Sequence, residues 1–100
     1  GPNQELAIGG CLNLGPDDLI AFGAIDSDGT DGPTAIAGAL TDGFTVARAA
    51  EKGYDLYRKL VEHDVSNVLT AADDAIITDS TGTNVNDLVV CVVLPPPTGD

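Results

Sequence analysis

The stretch "LIAFGAIDSDGTDGPT", residues 19–34, passes without a break from an apolar run into a loop that carries Asp26, Asp28 and Asp31 among Gly29 and Gly32. Leu19 to Ile25 is too short for an ordinary globular helix and scarcely alternates, so it reads as a strand buried on both faces, as in parallel α/β sheets. In open α/β sheets, ligands sit at the carboxyl ends of strands. An Asp- and Gly-rich loop in that position is therefore a candidate ligand loop. The plainer reading is that Asp-Gly pairs simply make tight turns.

Further along, "TDSTGTNVND", residues 78–87, repeats the arrangement. It follows a short predicted strand, Ala75 to Thr78, and precedes "LVVCVVL", Leu88 to Leu94, which reads as a second doubly buried strand. With parallel strands, both polar loops emerge on one sheet edge. Gly29, Gly32 and Gly82 then permit close backbone approach, and Thr30, Thr83, Asn84 and Asn86 offer hydrogen bonds to a polar ligand.

Helical patterns fill the rest. Asn3 to Leu14 reads as a helix capped by Asn3, with Leu6, Gly10 and Leu14 on one side beside Ala7 and Cys11, and Gly15-Pro16 as its stop. Gly9-Gly10 weakens that helix or admits a neighbouring backbone. Ala35 to Leu40 fits a short strand or a helical turn equally. Thr45 to Lys52 reads as a helix stopped by Gly53. Asp55 caps a second, whose apolar face is Leu56, Tyr57, Leu60 and Val61, with Arg58 and Glu62 paired on the other side. Ser66 caps a third that runs through Ala72. The expectation is a single α/β domain over residues 3–94, with a small, largely parallel or mixed sheet under helical cover. It reads as an incomplete part of a larger two-domain α/β protein. Gly1-Pro2 reads as a pair left by a tag-cleaving protease, and the Pro-rich tail, residues 95–100, as extended and exposed.

Composition excludes several partners. Among 100 residues, Asp and Glu number 16 against 4 Lys and Arg, a net charge of -12. Nothing here could neutralise a row of phosphates, so nucleic acid is excluded, as are anionic membrane surfaces. Such charge destabilises a compact chain in dilute buffer and is tolerated where salt screens it, the Debye length being about 3 Å at 1 M. The excess of Asp over Lys points to the cytoplasm of a halophile. The melting temperature is expected to fall as KCl is lowered from molar to millimolar; an unchanged value would count against a salt-adapted fold. Cys11 and Cys91 lie in apolar runs and read as free, buried thiols.

Motif tests narrow the chemistry. A calcium hand needs oxygen donors at alternate positions and a closing Glu at the twelfth. Counted from Asp26, the acids fall at positions 1, 3 and 6, and position 12 is Ala37. A magnesium ion asks for less, one or two carboxylates plus phosphate oxygens, and Asp28 and Asp31 are its candidates. The GxxxxGK[ST] phosphate loop and the GxGxxG dinucleotide fingerprint are both missing. His63, the single histidine, reads as a helix-end residue beside Glu62 and Asp64 rather than a catalyst.

"DSDGTDGPTAIAGAL" followed by "TGTNVNDL" resembles the MOFRL domain, the C-terminal part of class I glycerate 2-kinases, and "NQELA" resembles the helix after that family's Gly-Gly-Arg element. The resemblance covers residues 3 to about 93; Pro2 stands where the family has arginine. It implies ATP- and Mg²⁺-dependent phosphorylation of glycerate in a cleft between this part and a larger N-terminal kinase domain, which this chain lacks. On the two loops that the resemblance marks, Asp28 and Asp31 are the candidates for catalytic and metal-binding roles, and Asp26, Gly29, Thr30, Gly32, Thr83, Asn84, Asn86 and Asp87 for substrate or phosphate contacts. Alone, the chain is expected to be inactive; in the intact protein, Asp31→Asn is expected to cut turnover and spare the fold. A homo-oligomer is compatible with this reading. The alternatives are a stand-alone module that binds a small organic acid without catalysis, or part of a hydroxypyruvate reductase.

Overall fold

The computed structural model describes residues 1–95. In chain order the elements are α1 (Pro2–Cys11), β1 (Ile20–Asp26), β2 (Gly38–Asp42), α2 (Thr45–Glu51), α3 (Leu56–Val61), α4 (Ser66–Ala71), β3 (Ala75–Ile76) and β4 (Asp87–Val93). The expected α/β class holds, and the ambiguous segment before Leu40 resolves as strand β2. Expectation and structure part on strand direction. The four strands form one sheet in the order β3-β2-β1-β4, and every pairing is antiparallel. The reason is local: the loop between β1 and β2 contains no crossover helix, and a parallel return needs one.

Register sorts the side chains. Phe22 faces Thr41 and Cys91 across the sheet, and Ala24 faces Ala39 and Val89. On this face α1 lies over β1 and β2. Small residues let it approach: Gly10 sits against the Phe22 ring, where a Cβ would come within 2.7 Å. The close neighbour at Gly10 is thus a side chain, not a backbone. Thr41 donates its hydroxyl to the Ala7 carbonyl at 2.6 Å. The core joins Ile8 and Cys11 of α1 to Ala24 and Ala39 of the sheet and to Ala49, Leu56, Val65, Val68 and Leu69. Burial pushes the Cys11 thiol pKa up, so it stays protonated and inert. Arg48 of α2 ties the helices to the sheet through two contacts with Asp74, at 2.8 and 2.9 Å, and one with Asp42 at 3.2 Å. Its guanidinium pKa is raised: burial opposes the charge, but Asp74 and Asp42 outweigh it.

Several sequence expectations are corrected. β4 is exposed along its whole length rather than doubly buried, and Cys91 is exposed with it. It is an edge strand, and among the described residues no helix covers either face of it. Tyr57 and Val61 are exposed, leaving Leu56 as the buried residue of α3. Asn3 does not cap α1; Gly1 holds the cap position and Pro2 begins the helix, where its missing N–H costs nothing. Ser66 begins α4 without capping it, and its hydroxyl donates instead to Gln4 Oε1 at 2.8 Å. Asp55 does cap α3, accepting the Arg58 amide at 3.2 Å, and the Arg58–Glu62 pair forms at 3.8 Å. His63 contacts Glu5 of α1 rather than its chain neighbours. The tail beyond Pro95 lies outside the described residues. Among those described, no helix is long and apolar enough to cross a membrane.

Candidate functional site

The two polar loops meet, by a route other than parallel strands. β3 and β4 lie at opposite edges of the sheet, so the connection between them must cross the end of the sheet where β1 finishes. There it runs over the loop after β1. Thr81 donates its hydroxyl to the Ser27 carbonyl at 2.6 Å and its amide to the Asp28 carbonyl at 3.3 Å. Ser27 returns the contact, its amide donating to Asn86 O at 3.1 Å and its hydroxyl accepting the Val85 amide at 2.7 Å. Asp26 and Asp87 close the arrangement as partners in the β1–β4 register. Ser27 and Thr81 are the bolts of this junction, and the sequence reading passed over both.

Asp31 is fully buried. Its Oδ1 accepts the Asn3 amide at 3.0 Å and the Asn3 side-chain amide at 3.1 Å, and its Oδ2 accepts the Gln4 amide at 2.8 Å. A carboxylate has thus been placed on the N–H groups that open α1, where orphan donors and the helix dipole both favour negative charge. Asn3 also donates to Asp87 Oδ1 at 2.8 Å, so one side chain joins the helix, the Asp-rich loop and the start of β4. Gln4 donates to Thr34 Oγ1 at 3.0 Å, and Thr34 in turn donates to the Asp31 carbonyl at 2.8 Å. Asn3 and Gln4 are the clamp that sequence reading missed; polar amides at the very start of an apolar helix were the available signal.

Asp28 is differently placed. Its hydrogen bonds fall on Oδ1, which accepts the Thr30 amide at 2.9 Å and the Thr30 hydroxyl at 3.0 Å. These donors hold the Asp28 carboxyl below its usual range, the amide contributing most. For Asp26, the amide of Asp28 pulls the pKa down, but desolvation and the neighbouring Asp28 and Asp87 carboxylates raise it on balance. Folding stability carried by Asp28 is present above the ordinary carboxylate pKa and lost as pH falls through its depressed folded value. Asp26 acts in the opposite sense, its share being lost as pH rises through its raised folded value. Carboxyl chemical shifts are expected to show Asp26 titrating above, and Asp28 below, the ordinary value of about 3.9. Asp28→Asn should bring the Asp26 midpoint down; an unmoved midpoint would break the link.

The remaining candidates divide. Thr30, Gly32, Thr83, Asn84 and Asn86 are exposed on the two loops, whereas Gly29 is buried at their junction. Asn84 Oδ1 accepts the Asn86 amide at 3.0 Å, which supports the positive φ of 71° at Asn86. Among the described residues, no three His, Cys, Asp or Glu side chains gather closely enough to hold a metal ion on their own. Both Asp31 oxygens are occupied by α1. Asp28, only partly buried and bonded within its own loop rather than to α1, is the better fit to a cation that draws its other ligands from phosphate.

This chain is thus a helix-covered antiparallel sheet whose end carries a clamped Asp-Gly loop under a Thr-Gly-Thr-Asn crossing loop. The MOFRL family model matches residues 1–87, and the chain belongs to the MOFRL family. A glycerate 2-kinase of Pyrococcus horikoshii is 40% identical over 93 residues, which are 93% of this chain and 21% of that protein. A D-glycerate 2-kinase of Thermotoga maritima is 38% identical over 94 residues, 94% of this chain and 22% of that protein. The crystal structure of glycerate kinase from the same organism superposes with a TM-score of 0.88 at 38% identity, over 94% of this chain and 23% of that one. A putative hydroxypyruvate reductase of Agrobacterium vitis is 37% identical over 90 residues, 88% of this chain and 23% of that protein. The chain therefore spans about a fifth of the length of these relatives.

Proposed function

We propose that this chain is the part of a glycerate 2-kinase that presents one wall of the active site, the rest of the enzyme supplying the other. The observation that carries the reading is the bolting together of the two family loops, Ser27 to Asn86 and Thr81 to Ser27 and Asp28, into one polar surface at the sheet end. Phosphoryl transfer asks little covalent chemistry of the protein; it asks for positioning and charge stabilisation. ATP would supply the phosphoryl group, and Mg²⁺ would neutralise its oxygens. From this chain, Asp28 would take such a cation or orient the glycerate hydroxyl, its carboxylate held by Thr30. Thr83, Asn84 and Asn86 would donate to substrate or phosphate oxygens, with Gly29 and Gly32 shaping the loop beneath them. Asp31 serves as a positioning residue that holds the start of α1 to the loop. The kinase reading is preferred to the reductase name because the Pyrococcus and Thermotoga kinases, at 40% over 93 residues and 38% over 94, exceed the Agrobacterium protein at 37% over 90. A high-salt cytoplasm suits the acidic surface.

The test uses a full-length protein carrying this segment, assayed for ATP-dependent phosphorylation of glycerate. Asp28→Asn should lower kcat at least about 100-fold, the scale of losing one positioned electrostatic group, with the unfolding midpoint in high salt unchanged. Wild-type turnover in that variant would move the chemistry off this loop.

A further inference from the structure

Among the described residues, no helix covers the face of the sheet opposite α1. Alternation puts Leu40 of β2 and Leu88, Val90 and Val92 of β4 there, about half exposed at 54%, 50%, 56% and 48%. On the other face, Val89 and Val93 of β4 extend past the reach of α1, at 57% and 67% exposed. Between them and the helix lies an apolar hollow of about 290 Å³, walled by Leu6, Gly9, Gly10, Phe22 and Val89. Among the described residues, the outer edge of β4 is also unpaired. Leu94 donates to the Leu19 carbonyl and Ser27 to that of Asn86, so by alternation the amides of Val89, Cys91 and Val93 point outward. No charge or proline interrupts residues 88–94. Natural edge strands left in water carry such interruptions. A strand that is apolar on both faces belongs inside a sheet covered on both sides.

We propose that the rest of a longer polypeptide completes this sheet, laying a layer on the face opposite α1 and a strand along the open edge of β4. The relatives hold about four-fifths of their length outside the matched region, which is ample for both. A second copy of the chain fits less well. Pairing β4 with β4 satisfies the edge and lays nothing on the open face; stacking two open faces leaves both edges bare. This surface is apolar and lies along the sheet, apart from the polar loops at its end. The polypeptide that completes the sheet is therefore core to the fold, whatever faces the loops across a cleft. The proposal rests on family membership and not on the catalytic reading.

The test again uses a full-length protein carrying this segment. The amides of Val89, Cys91 and Val93 should exchange at least about 100-fold more slowly than those of the loop residues Thr83 and Asn84. Leu40→Glu should abolish soluble folded protein, while Leu40→Met is tolerated. Edge amides that exchange as fast as the loop would overturn the proposal, as would normal yield of Leu40→Glu. Protection that disappears when the protein is diluted to a monomer would assign the surface to a second copy instead, and a reading frame that encodes this segment alone would equally defeat it.

Discussion

Asp31→Ala is expected to destabilise the chain by about 3–5 kcal/mol, a large fraction of the roughly 5–15 kcal/mol that holds a domain of this size together. The substitution leaves the Asn3 and Gln4 amides and the Asn3 side chain without their acceptor in a fully buried place. It also removes the negative charge from the positive end of α1. Asp31→Asn should lose somewhat less, since one oxygen survives, yet an amide nitrogen then opposes one of the backbone donors. Urea unfolding in molar KCl measures both. A shift below about 0.5 kcal/mol, the range of an ordinary surface change, would show that α1 is not anchored by this carboxylate. The sequence reading had Asp31→Asn sparing the fold; the contacts of Asp31 argue for the reverse. A double-mutant cycle with Asn3→Ala should reveal coupling, because the two side chains share the clamp.

Gly29→Ala is expected to cost about 2–4 kcal/mol, combining a left-handed backbone with an overpacked junction. Gly29 has φ of +96°, and a Cβ there would lie 2.0 Å from the Asp79 carbonyl oxygen. That oxygen belongs to the crossing loop, so the two loops cannot stay in contact. Chemical-shift changes should concentrate in residues 27–31 and 78–87, while the β1–β2 pairing persists. Changes spread evenly over the core, or none at the loops, would contradict the junction as described.

The helices and the candidate loops were legible in the sequence because their signals are local. Gly53 marks the stop of α2 and Asp55 the start of α3, and the Asp-Gly and Thr-Gly-Thr-Asn segments stand out from apolar neighbours. Strand direction was not legible. An apolar run such as Leu88 to Leu94 says that its side chains avoid water, not what will cover them; among the described residues nothing does. The contacts of Asp31 were illegible for a related reason. A buried acid and a partly exposed acid look alike in a string, and only three dimensions show that Asp31 meets Asn3 and Gln4 while Asp28 is bonded to Thr30 within its own loop.

The sequence by itself determined the α/β character, the excess of negative charge, and the two loops that carry the family likeness, since propensity, charge and turn chemistry are properties of neighbouring residues. Tertiary structure decided which residues are partners. Antiparallel closure set β4 at the edge and drew the long connection over the end of β1, and burial turned Asp31 from a candidate ligand into the anchor of a helix. Those outcomes depend on contacts between residues far apart in the chain, where pairing geometry and desolvation, not local preference, set the free energy.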